Sequence, residues 1–428
     1  MKERRYWQAE FETAPVERLK QIQDEKARSL VKRAYEKTSF YRKKFDTAGV
    51  RPEDIKSLAD FHSLPLTRYL EDFVATAAEE KLAIPKAKVV NIMSTSGTVS
   101  GSPQLAALSE SDLDTWAMII SRFALMCGLE EEDILAMFLI PFKIVEIGME
   151  RAGVSVIPVT HVTTRMDNAI KLINNAKATA ILSSPSLLLA MRARAQELGI
   201  DYKKIGLRKA ILGGESWSDS YRRRMAQELG IEFYDLYGLA EVGHCAGECG
   251  EGDGLHCWDD LFIVEIIDPE TEKVLPAGEL GEIVVTPLWR EAMPLIRYCT
   301  GDAARLLEYK PCSCGRTLSK ISRIKGRIST LIKVGKTKLF PIDVEEVLHS
   351  IPELSGEYQI ILSHPEVQEM LEIKAECNLG VELTDMLQRK VETQMEQSLG
   401  AKSKVSLVRC GQFPKGIDIK AQRIVKSF

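Results

Sequence analysis

Between residues 88 and 215 the chain alternates short apolar runs with longer stretches whose apolar residues have helical spacing. This alternation is typical of βαβ units, in which a helix returns the chain so that the next strand lies parallel to the first. The pattern predicts an α/β fold with a mainly parallel sheet flanked by helices. The predicted strands cover residues 89–93, 134–138, 154–159, 179–183 and 209–212, and helices are predicted at 165–176 and 186–199.

Other parts of the chain have different patterns. Residues 15–47 combine charged and apolar residues at helical spacing, which predicts one or two amphipathic helices. Residues 262–310 are typical of antiparallel strands with turns and predict a β-rich subdomain. A basic stretch at 316–338 contains a predicted hinge, Gly326-Arg327, and leads into a compact α+β pattern. We therefore predict a large N-terminal domain, residues 1–327, and a small mobile C-terminal domain, residues 328–428.

Size and charge narrow the class of protein. The 428 residues are enough for two or three domains, and a hydrophobic content of 45% is ordinary for a globular chain. A net charge of −4 gives no electrostatic reason to expect a nucleic-acid partner. No apolar run approaches the length that spans a bilayer, and the first residues contain no signal-peptide core. We therefore expect a cytoplasmic protein without a membrane partner.

Residues 93–104 are rich in small polar residues. Eight of these twelve residues are Ser, Thr or Gly, and a nearly apolar run precedes them. The backbone N–H groups and hydroxyls of such a loop can surround an anion, because Gly97 and Gly101 permit close approach and positive φ. A phosphate is the natural ligand of such a loop, although a flexible surface loop has the same composition. The sequence lacks the Gly-Lys-Ser/Thr ending of a Walker loop.

Two carboxylates follow predicted strands. Glu241 lies just past a Gly turn in the segment 234–243, where a carboxylate can hold Mg²⁺ beside phosphate oxygens. An aromatic residue next to it can stack on a purine. Asp302 ends a Thr-Gly-Asp sequence, where it could accept hydrogen bonds from two ribose hydroxyls. Taken alone, each stretch is more typical of an ordinary solvated turn.

The cysteines are clustered. The chain has nine, an odd number, which argues against a disulfide framework in a long chain without a secretory signal, and six of them fall between Cys245 and Cys314. Four N/S ligands without an oxygen ligand fit a closed tetrahedral zinc site of structural type. We predict such a site in residues 249–314, with Cys245, Cys257 and His244 as alternative ligands and free cysteines as the alternative to a metal. The expected ligands are Cys249, His256, Cys312 and Cys314.

The C-terminal segment, residues 413–423, is basic and begins with turn residues. One lysine on such a loop could reach an anionic site on the other domain. The commoner fate of a basic segment is to remain solvated at the surface.

Taken together and in order, these stretches resemble the phenylacetate–CoA ligase family, a short branch of the adenylate-forming acyl- and aryl-CoA synthetases. The resemblance covers nearly the whole chain. Each motif alone is weak, but so many motifs in order and at family-like spacing are specific. Besides the 93–104 loop, they are Tyr6-Trp7, Lys32-Arg33-Ala34-Tyr35, Ser39-Phe40-Tyr41, Gly213-Gly214-Glu215-Ser216-Trp217-Ser218, Tyr237-Gly238-Leu239-Ala240-Glu241, Gly254-Leu255-His256, Pro294-Leu295-Ile296-Arg297-Tyr298, Arg323-Ile324-Lys325-Gly326-Arg327, and Phe340-Pro341 followed by Val344-Glu345-Glu346-Val347.

The resemblance implies a two-step reaction that uses ATP, Mg²⁺ and coenzyme A. A carboxylate attacks the α-phosphorus of ATP and gives an acyl-adenylate and pyrophosphate. The small domain then rotates, and a thiol, usually CoA, displaces AMP. The family also implies a homodimer.

The resemblance further assigns roles to residues of this sequence. Lys420 is the implied catalytic lysine, which places positive charge near the phosphorane oxygens, and Lys415 and Lys426 are its rivals. Glu241 is the implied ligand of Mg²⁺. The implied nucleotide site consists of Thr95, Ser96, Gly97 and Thr98 around the β- and γ-phosphates, Gly214, Glu215, Asp235 and Tyr237 around the adenine, Ser216 and Gly238 beside them, Asp302 at the ribose hydroxyls, and Arg323 at the ribose or phosphate.

The acid is not readable from the sequence, because the implied pocket mixes aromatic and aliphatic side chains. An aryl or arylacetic acid is expected, and a medium aliphatic acid is also compatible. Two further functions stay open: an adenylating ligase that passes the acyl group to an amine or a carrier-protein thiol, and a zinc-stabilised nucleotide-binding protein without ligase activity. The candidate substrate residues are Phe138, Pro141, Phe142, Ile147, Ser184, Pro185 and Gly213.

Overall fold

The computed structural model describes residues 5–94, 105–138, 143–159, 166–413 and 422–428. Helices α1–α12 are Ala9–Glu12, Val16–Lys37, Ser39–Ala48, Leu58–Phe61, Ala78–Lys81, Glu110–Met126, Lys143–Arg151, Met166–Asn175, Pro185–Glu197, Asp219–Leu229, Pro341–His349 and Asp385–Leu399. Within the described ranges, none of the helices combines the length and the apolar character that crossing a bilayer requires.

The strands are mostly short. Strands β1–β20 are Asn91–Ser94, Leu105–Leu108, Ile134–Met137, Ser155–Pro158, Ala180–Ser183, Lys209–Leu212, Glu232–Leu239, Gly243–Glu248, Leu255–Cys257, Phe262–Ile267, Leu280–Pro287, Tyr298–Arg305, Lys320–Ile321, Gly326–Arg327, Ile332–Val334, Thr337–Leu339, Leu354–Leu362, Leu371–Cys377, Ser403–Val408 and Ile424–Lys426.

The chain packs into two compact units. The first unit contains residues 1–133, 142–156 and 234–323, and the second contains residues 134–141, 157–233 and 324–428. In the first unit β10, β11 and β12 pair antiparallel, and β7, β8, β9 and β13 form a second antiparallel series. Helices α2 and α3 contribute a buried apolar core that includes Leu30, Tyr41 and Phe45.

The second unit contains the predicted βαβ pattern. Strands β3, β5 and β6 are parallel neighbours, with Leu135 opposite Ala180 and Ala180 opposite Lys209. Helices α8, α9 and α10 pack their apolar faces into the same buried core. The C-terminal part of the unit has its own core and a sheet in which β18 lies between β17 and β19.

Local sequence signals explain where the helices near the candidate site begin. The Ser184 hydroxyl accepts a hydrogen bond from Leu187 N at the start of α9, and Pro185 occupies the first helical position, where its missing N–H costs nothing. The Ser218 hydroxyl accepts from Tyr221 N at the start of α10. Gly230 ends α10 with a positive φ of 70°, a conformation that glycine adopts without strain.

The α/β fold class is confirmed, and so are the amphipathic helices of 15–47, which are α2 and α3. The β-rich character of 262–310 is confirmed by β10–β12. The run at 89–93 differs from the parallel series, because β1 pairs antiparallel with β2 across residues 95–104, with Asn91 opposite Leu108. The division of the chain into domains at residue 327 stays a prediction.

Candidate active site

Two buried carboxylates of the first unit are each held by a tyrosine hydroxyl. Tyr237 Oη, on β7, donates to Asp302 Oδ2 on β12 at 3.0 Å, and Tyr298 Oη donates to Glu241 Oε1 at 2.5 Å. Asp302 is 8% exposed and Glu241 is 6% exposed. Burial raises the pKa of Tyr237 well above its ordinary value, so its hydroxyl remains a donor. Asp302 and Glu241, which were predicted from turn motifs, are therefore each fixed in orientation by a tyrosine on a β-strand.

Arg323 and Asp235 are joined through a residue that the sequence analysis missed. Glu248, on β8, accepts from Asp235 N at 3.0 Å through Oε2 and from Arg323 Nη2 at 2.7 Å through Oε1. The guanidinium of Arg323 also donates to the Gly252 carbonyl at 3.1 Å. Glu248 is fully buried, so its charge requires these partners. The role of Arg323 at a ribose or phosphate stays a prediction.

In the second unit the Gly-Gly-Glu-Ser segment follows β6. Gly213 N donates to Ser183 O at 3.2 Å, and Gly214 has a positive φ of 81°. Glu215 Oε2 accepts from Ser186 N at 3.2 Å and from Ser186 Oγ at 2.6 Å, which ties this segment to the first turn of α9. The predicted contacts of Gly214, Glu215 and Ser216 with adenine stay predictions.

Some candidate substrate residues have structural roles of their own. Phe138 is buried in the core of the parallel strands, and Ile147 lies half-buried on α7. Ser184 and Pro185 start α9, and Pro185 O accepts from Tyr221 Oη at 2.8 Å. Their contact with an acid stays a prediction. Several predicted residues lie outside the described ranges: Thr95, Ser96, Gly97, Thr98, Pro141, Phe142, Lys415 and Lys420.

The rival lysine within the described ranges is Lys426. It lies exposed on β20, in register with Leu362 of β17. Arg423 directly precedes this strand. Its Nη1 donates to Glu357 Oε2 at 2.7 Å, and its guanidinium lies 4.5 Å from the ring centre of Tyr358. The C-terminal strand is thereby anchored to β17.

The structure brings Cys249, His256, Cys312 and Cys314 together, and we call these residues the Cys/His cluster. Their ligand atoms all lie within 4.8 Å of one another. Cys249 Sγ is 3.8 Å from Cys312 Sγ, and Cys314 Sγ is 3.5 Å from His256 Nε2. The sulfur–sulfur distance is far beyond the bond length of about 2.05 Å in a disulfide. None of the nine cysteines, all of which lie in the described ranges, forms a disulfide.

The alternative ligands of the Cys/His cluster have other partners. His244 Nδ1 accepts from Trp116 Nε1 at 2.8 Å, and burial lowers the pKa of His244 to about 4. Cys245 Sγ lies 3.9 Å from Tyr237 O. Burial raises the pKa of both Cys245 and Cys257, which keeps these thiols protonated.

The N-terminal segment packs on the turn at residues 312–315, which we call the cysteine turn. Tyr6 Oη donates to Cys314 O at 2.8 Å, and the buried Arg316–Glu12 ion pair has an N–O distance of 2.7 Å. Gly315 has a positive φ of 84°, and a Cβ there would lie 2.2 Å from Tyr6 Oη. Glycine is therefore required at 315 both for backbone conformation and for space.

Models of two known protein families match this chain. The model of the AMP-binding enzyme family matches residues 9–287, and the model of the AMP-binding enzyme C-terminal domain matches residues 336–427. The phenylacetate-coenzyme A ligase of Thermus thermophilus is 30% identical over 98% of this chain and 99% of its own length. That of Aromatoleum evansii is 33% identical over 97% of this chain and 96% of its own.

A solved structure shows the same fold. The crystal structure of 2-hydroxyisobutyryl-CoA ligase in the postadenylation state superposes with a TM-score of 0.92, covering 99% of this chain and 93% of that chain at 22% identity. The family models, together with the fold, define an adenylate-forming enzyme. Within that class, the chain belongs to the phenylacetate–CoA ligase family. It is an ATP-dependent, AMP-forming acid–CoA ligase that works through an acyl-adenylate.

Proposed function

We propose that this ligase activates an aromatic or arylacetic acid, with phenylacetic acid as the first candidate. The observation that carries the proposal is the near full-length similarity to enzymes named phenylacetate-coenzyme A ligase, at 30% and 33% identity. The candidate substrate residues include aromatic and aliphatic side chains, such as Phe138 and Ile147, which is compatible with an arylacetic acid.

We propose that the buried carboxylates serve the nucleotide. Asp302 accepts hydrogen bonds from the ribose hydroxyls, and Glu241 binds Mg²⁺ that also contacts the phosphates. Thr95–Thr98 bind the phosphates, and Lys420 stabilises the negative charge that develops when the acid attacks phosphorus. The adenine is bounded by Gly214, Glu215, Ser216, Asp235, Tyr237 and Gly238, with Arg323 near the ribose or phosphate.

We propose that the Cys/His cluster binds one structural Zn²⁺. In a tetrahedral site with ordinary Zn–S and Zn–N bonds, two sulfurs lie about 3.8 Å apart and a sulfur and a nitrogen about 3.5 Å apart. The distances of 3.8 Å and 3.5 Å in this cluster fit those values. His256 Nδ1 is buried and has no hydrogen-bond partner among the described residues, which leaves Nε2, the nitrogen that faces Cys314, as the atom for a metal.

We also expect a homodimer and a cytoplasmic location. The family resemblance implies a homodimer, and the use of ATP and CoA supports a reaction in the cytoplasm. The substrates are small molecules, and the net charge of −4 supports no role for nucleic acid.

Pyrophosphate exchange against a panel of carboxylic acids tests the proposed substrate. We expect exchange to be fastest with phenylacetic acid or a related aryl acid, and CoA to release AMP and form the thioester. Fastest exchange with a short aliphatic acid would contradict the proposed acid. Exchange that gains nothing from CoA would indicate transfer to an amine or a carrier-protein thiol, and ATP binding without exchange would indicate a protein without ligase activity.

A further inference from the structure

The first turn of α10 receives two carboxylates from α11. Ser218 N donates to Glu345 Oε1 at 2.9 Å, and Ser220 N donates to Glu346 Oε2 at 2.8 Å. The first N–H groups of a helix have no partner within the helix, and its N-terminus carries partial positive charge. Glu345 and Glu346, which we call the carboxylate pair, therefore satisfy both the hydrogen bonding and the electrostatics of this turn.

The two members of the carboxylate pair lie in different environments. Glu345 is only 6% exposed, so its contact with Ser218 N is shielded from water. Glu346 is more exposed and accepts two further hydrogen bonds, from Ser220 Oγ at 2.7 Å and from Arg223 Nη2 at 2.8 Å. Four hydrogen bonds thus connect the start of α10 to two consecutive residues of α11.

An aromatic contact supports the same pair of helices. The rings of Tyr221 and His349 meet edge to face, with their centres 5.1 Å apart. Tyr221 follows the capped turn of α10, and His349 ends α11. Both side chains are buried. The two helices are therefore joined by polar contacts at the middle of α11 and by ring packing at its C-terminal end.

The carboxylate pair is also coupled to the C-terminal strand. Glu345 and Arg423 attract each other electrostatically, and Arg423 is anchored by its ion pair with Glu357 at 2.7 Å. Arg423 lies three residues after Lys420 in the sequence. The start of α10, the carboxylate pair and the strand that follows the proposed catalytic lysine therefore belong to one connected set of contacts.

We propose that Glu345 and Glu346 are positioning residues for adenylation: by capping α10, they hold the small domain in the arrangement in which its lysine serves the first half-reaction. This inference rests on the proposed function of Lys420. The small domain must leave that arrangement before thioester formation, so the contacts of the carboxylate pair are broken between the two half-reactions. Their loss should therefore slow adenylation selectively.

The double substitution Glu345→Ala and Glu346→Ala tests the proposal. We expect the kcat of pyrophosphate exchange, with the acid that wild type uses best, to fall about tenfold or more, since the hydrogen bonds that both carboxyl groups accept are lost. Thioester formation from synthetic acyl-adenylate and CoA should stay within about twofold of wild type, because that step does not use this arrangement. Unchanged exchange, or an equal fall in both half-reactions, would overturn the proposal.

Two single variants serve as controls. Glu345→Gln keeps an oxygen that accepts from Ser218 N and should retain most of the exchange activity. Glu366→Ala removes an exposed carboxylate of the same domain and should leave both half-reactions unchanged. Loss of exchange in Glu366→Ala to the same extent as in the double variant would count against a specific role of the carboxylate pair.

Hydrogen exchange separates this inference from the proposed function. The backbone amides of Ser218 and Ser220 should be protected in wild type and should exchange faster in the double variant, whether or not the enzyme is active. Equal protection in the two proteins would overturn the capping role. Wild type that exchanges pyrophosphate with no acid would contradict the proposed function instead, and the amide measurement would still decide the capping role.

Discussion

At the scale of single residues, tyrosine hydroxyls orient the two carboxylates that we propose to bind the nucleotide and its Mg²⁺. Tyr237 donates to Asp302, and Tyr298 donates to Glu241. A buried carboxylate that is already oriented loses little freedom when a ligand arrives, and its hydrogen bonds to that ligand are formed in a poorly hydrated site. The geometry therefore favours ligands that donate hydrogen bonds to these carboxylates, such as ribose hydroxyls, over ligands that do not.

Asp302 gives a prediction at this scale. Asp302→Ala should lower kcat/KM for ATP in pyrophosphate exchange by about 10- to 100-fold, because hydrogen bonds from the ribose to a charged acceptor are lost. Tyr237→Phe keeps the carboxylate and removes only one donor to it, so its loss should be smaller, about tenfold at most. An ATP dependence of Asp302→Ala equal to that of wild type would contradict the assignment to ribose.

Residue patterns indicated Glu241, Asp302 and the four members of the Cys/His cluster, because each lies in a short stretch of distinctive composition. Glu248 could not be recognised in this way. Its partner Arg323 is 75 positions away, and the buried ion pair forms only when β8 packs against the segment that contains Arg323. In the sequence, Glu248 stands out only as a charged residue among apolar and small neighbours. That feature does not identify its partner.

At the scale of secondary structure elements, α11 carries a titratable contact. Burial raises the pKa of Glu345 from its ordinary value of 4.5 to about 7, while Arg423 and the Ser218 N–H oppose this rise and Glu215 adds to it. The folded state therefore binds the proton more tightly than the unfolded state. The stability that this proton contributes is fully present below about pH 4.5 and is lost as the pH rises through about 7.

The variant Glu345→Gln cannot titrate at this position, which gives a prediction of pH dependence. Between pH 5 and pH 8 the free energy of unfolding of wild type should fall relative to that of Glu345→Gln, by about 3 kcal/mol at most. Denaturant unfolding of both proteins at the two pH values measures the difference. A constant difference between the two proteins would show that Glu345 has an ordinary pKa.

The periodic pattern predicted the positions of α2, α3, α8 and α9 and of the parallel strands, because each buries an apolar face with a clear period. It did not predict that β1 pairs antiparallel with β2, since an isolated apolar run contains no information on the direction of its neighbour. The contact of α10 with α11 was also invisible. The sequence shows Glu345 and Glu346 as part of a motif, but Ser218 and Ser220 lie more than 120 positions before them.

At the scale of the whole molecule, the Cys/His cluster joins distant parts of the first unit. Cys249 directly follows β8, His256 lies on β9, and Cys312 and Cys314 lie in the segment before β13. The N-terminal segment packs on the same place through Tyr6 and the Glu12–Arg316 pair. A metal bound at this position would stabilise several elements at once, because the ligands are far apart in the unfolded chain.

Metal analysis of the purified protein should find about one Zn²⁺ per chain, as expected for one four-ligand site. Cys312→Ser should lower both the zinc content and Tm, because it removes a ligand and leaves the other thiolates without charge compensation. Cys410→Ser changes a cysteine outside the cluster and should alter neither. A zinc-free preparation with unchanged Tm would contradict the proposed metal site.

The ion pair between Glu12 and Arg316 affects how the chain folds on the ribosome, because its two members are synthesised far apart in time. Glu12 precedes its partner Arg316 by 304 positions, so this ion pair cannot form until all the residues between them have been synthesised. At ordinary translation rates this interval is on the order of 15 to 60 seconds. During that time Tyr6 and Glu12 lack their native partners Cys314 and Arg316. The N-terminal segment of the nascent chain is therefore exposed to chaperones and proteases.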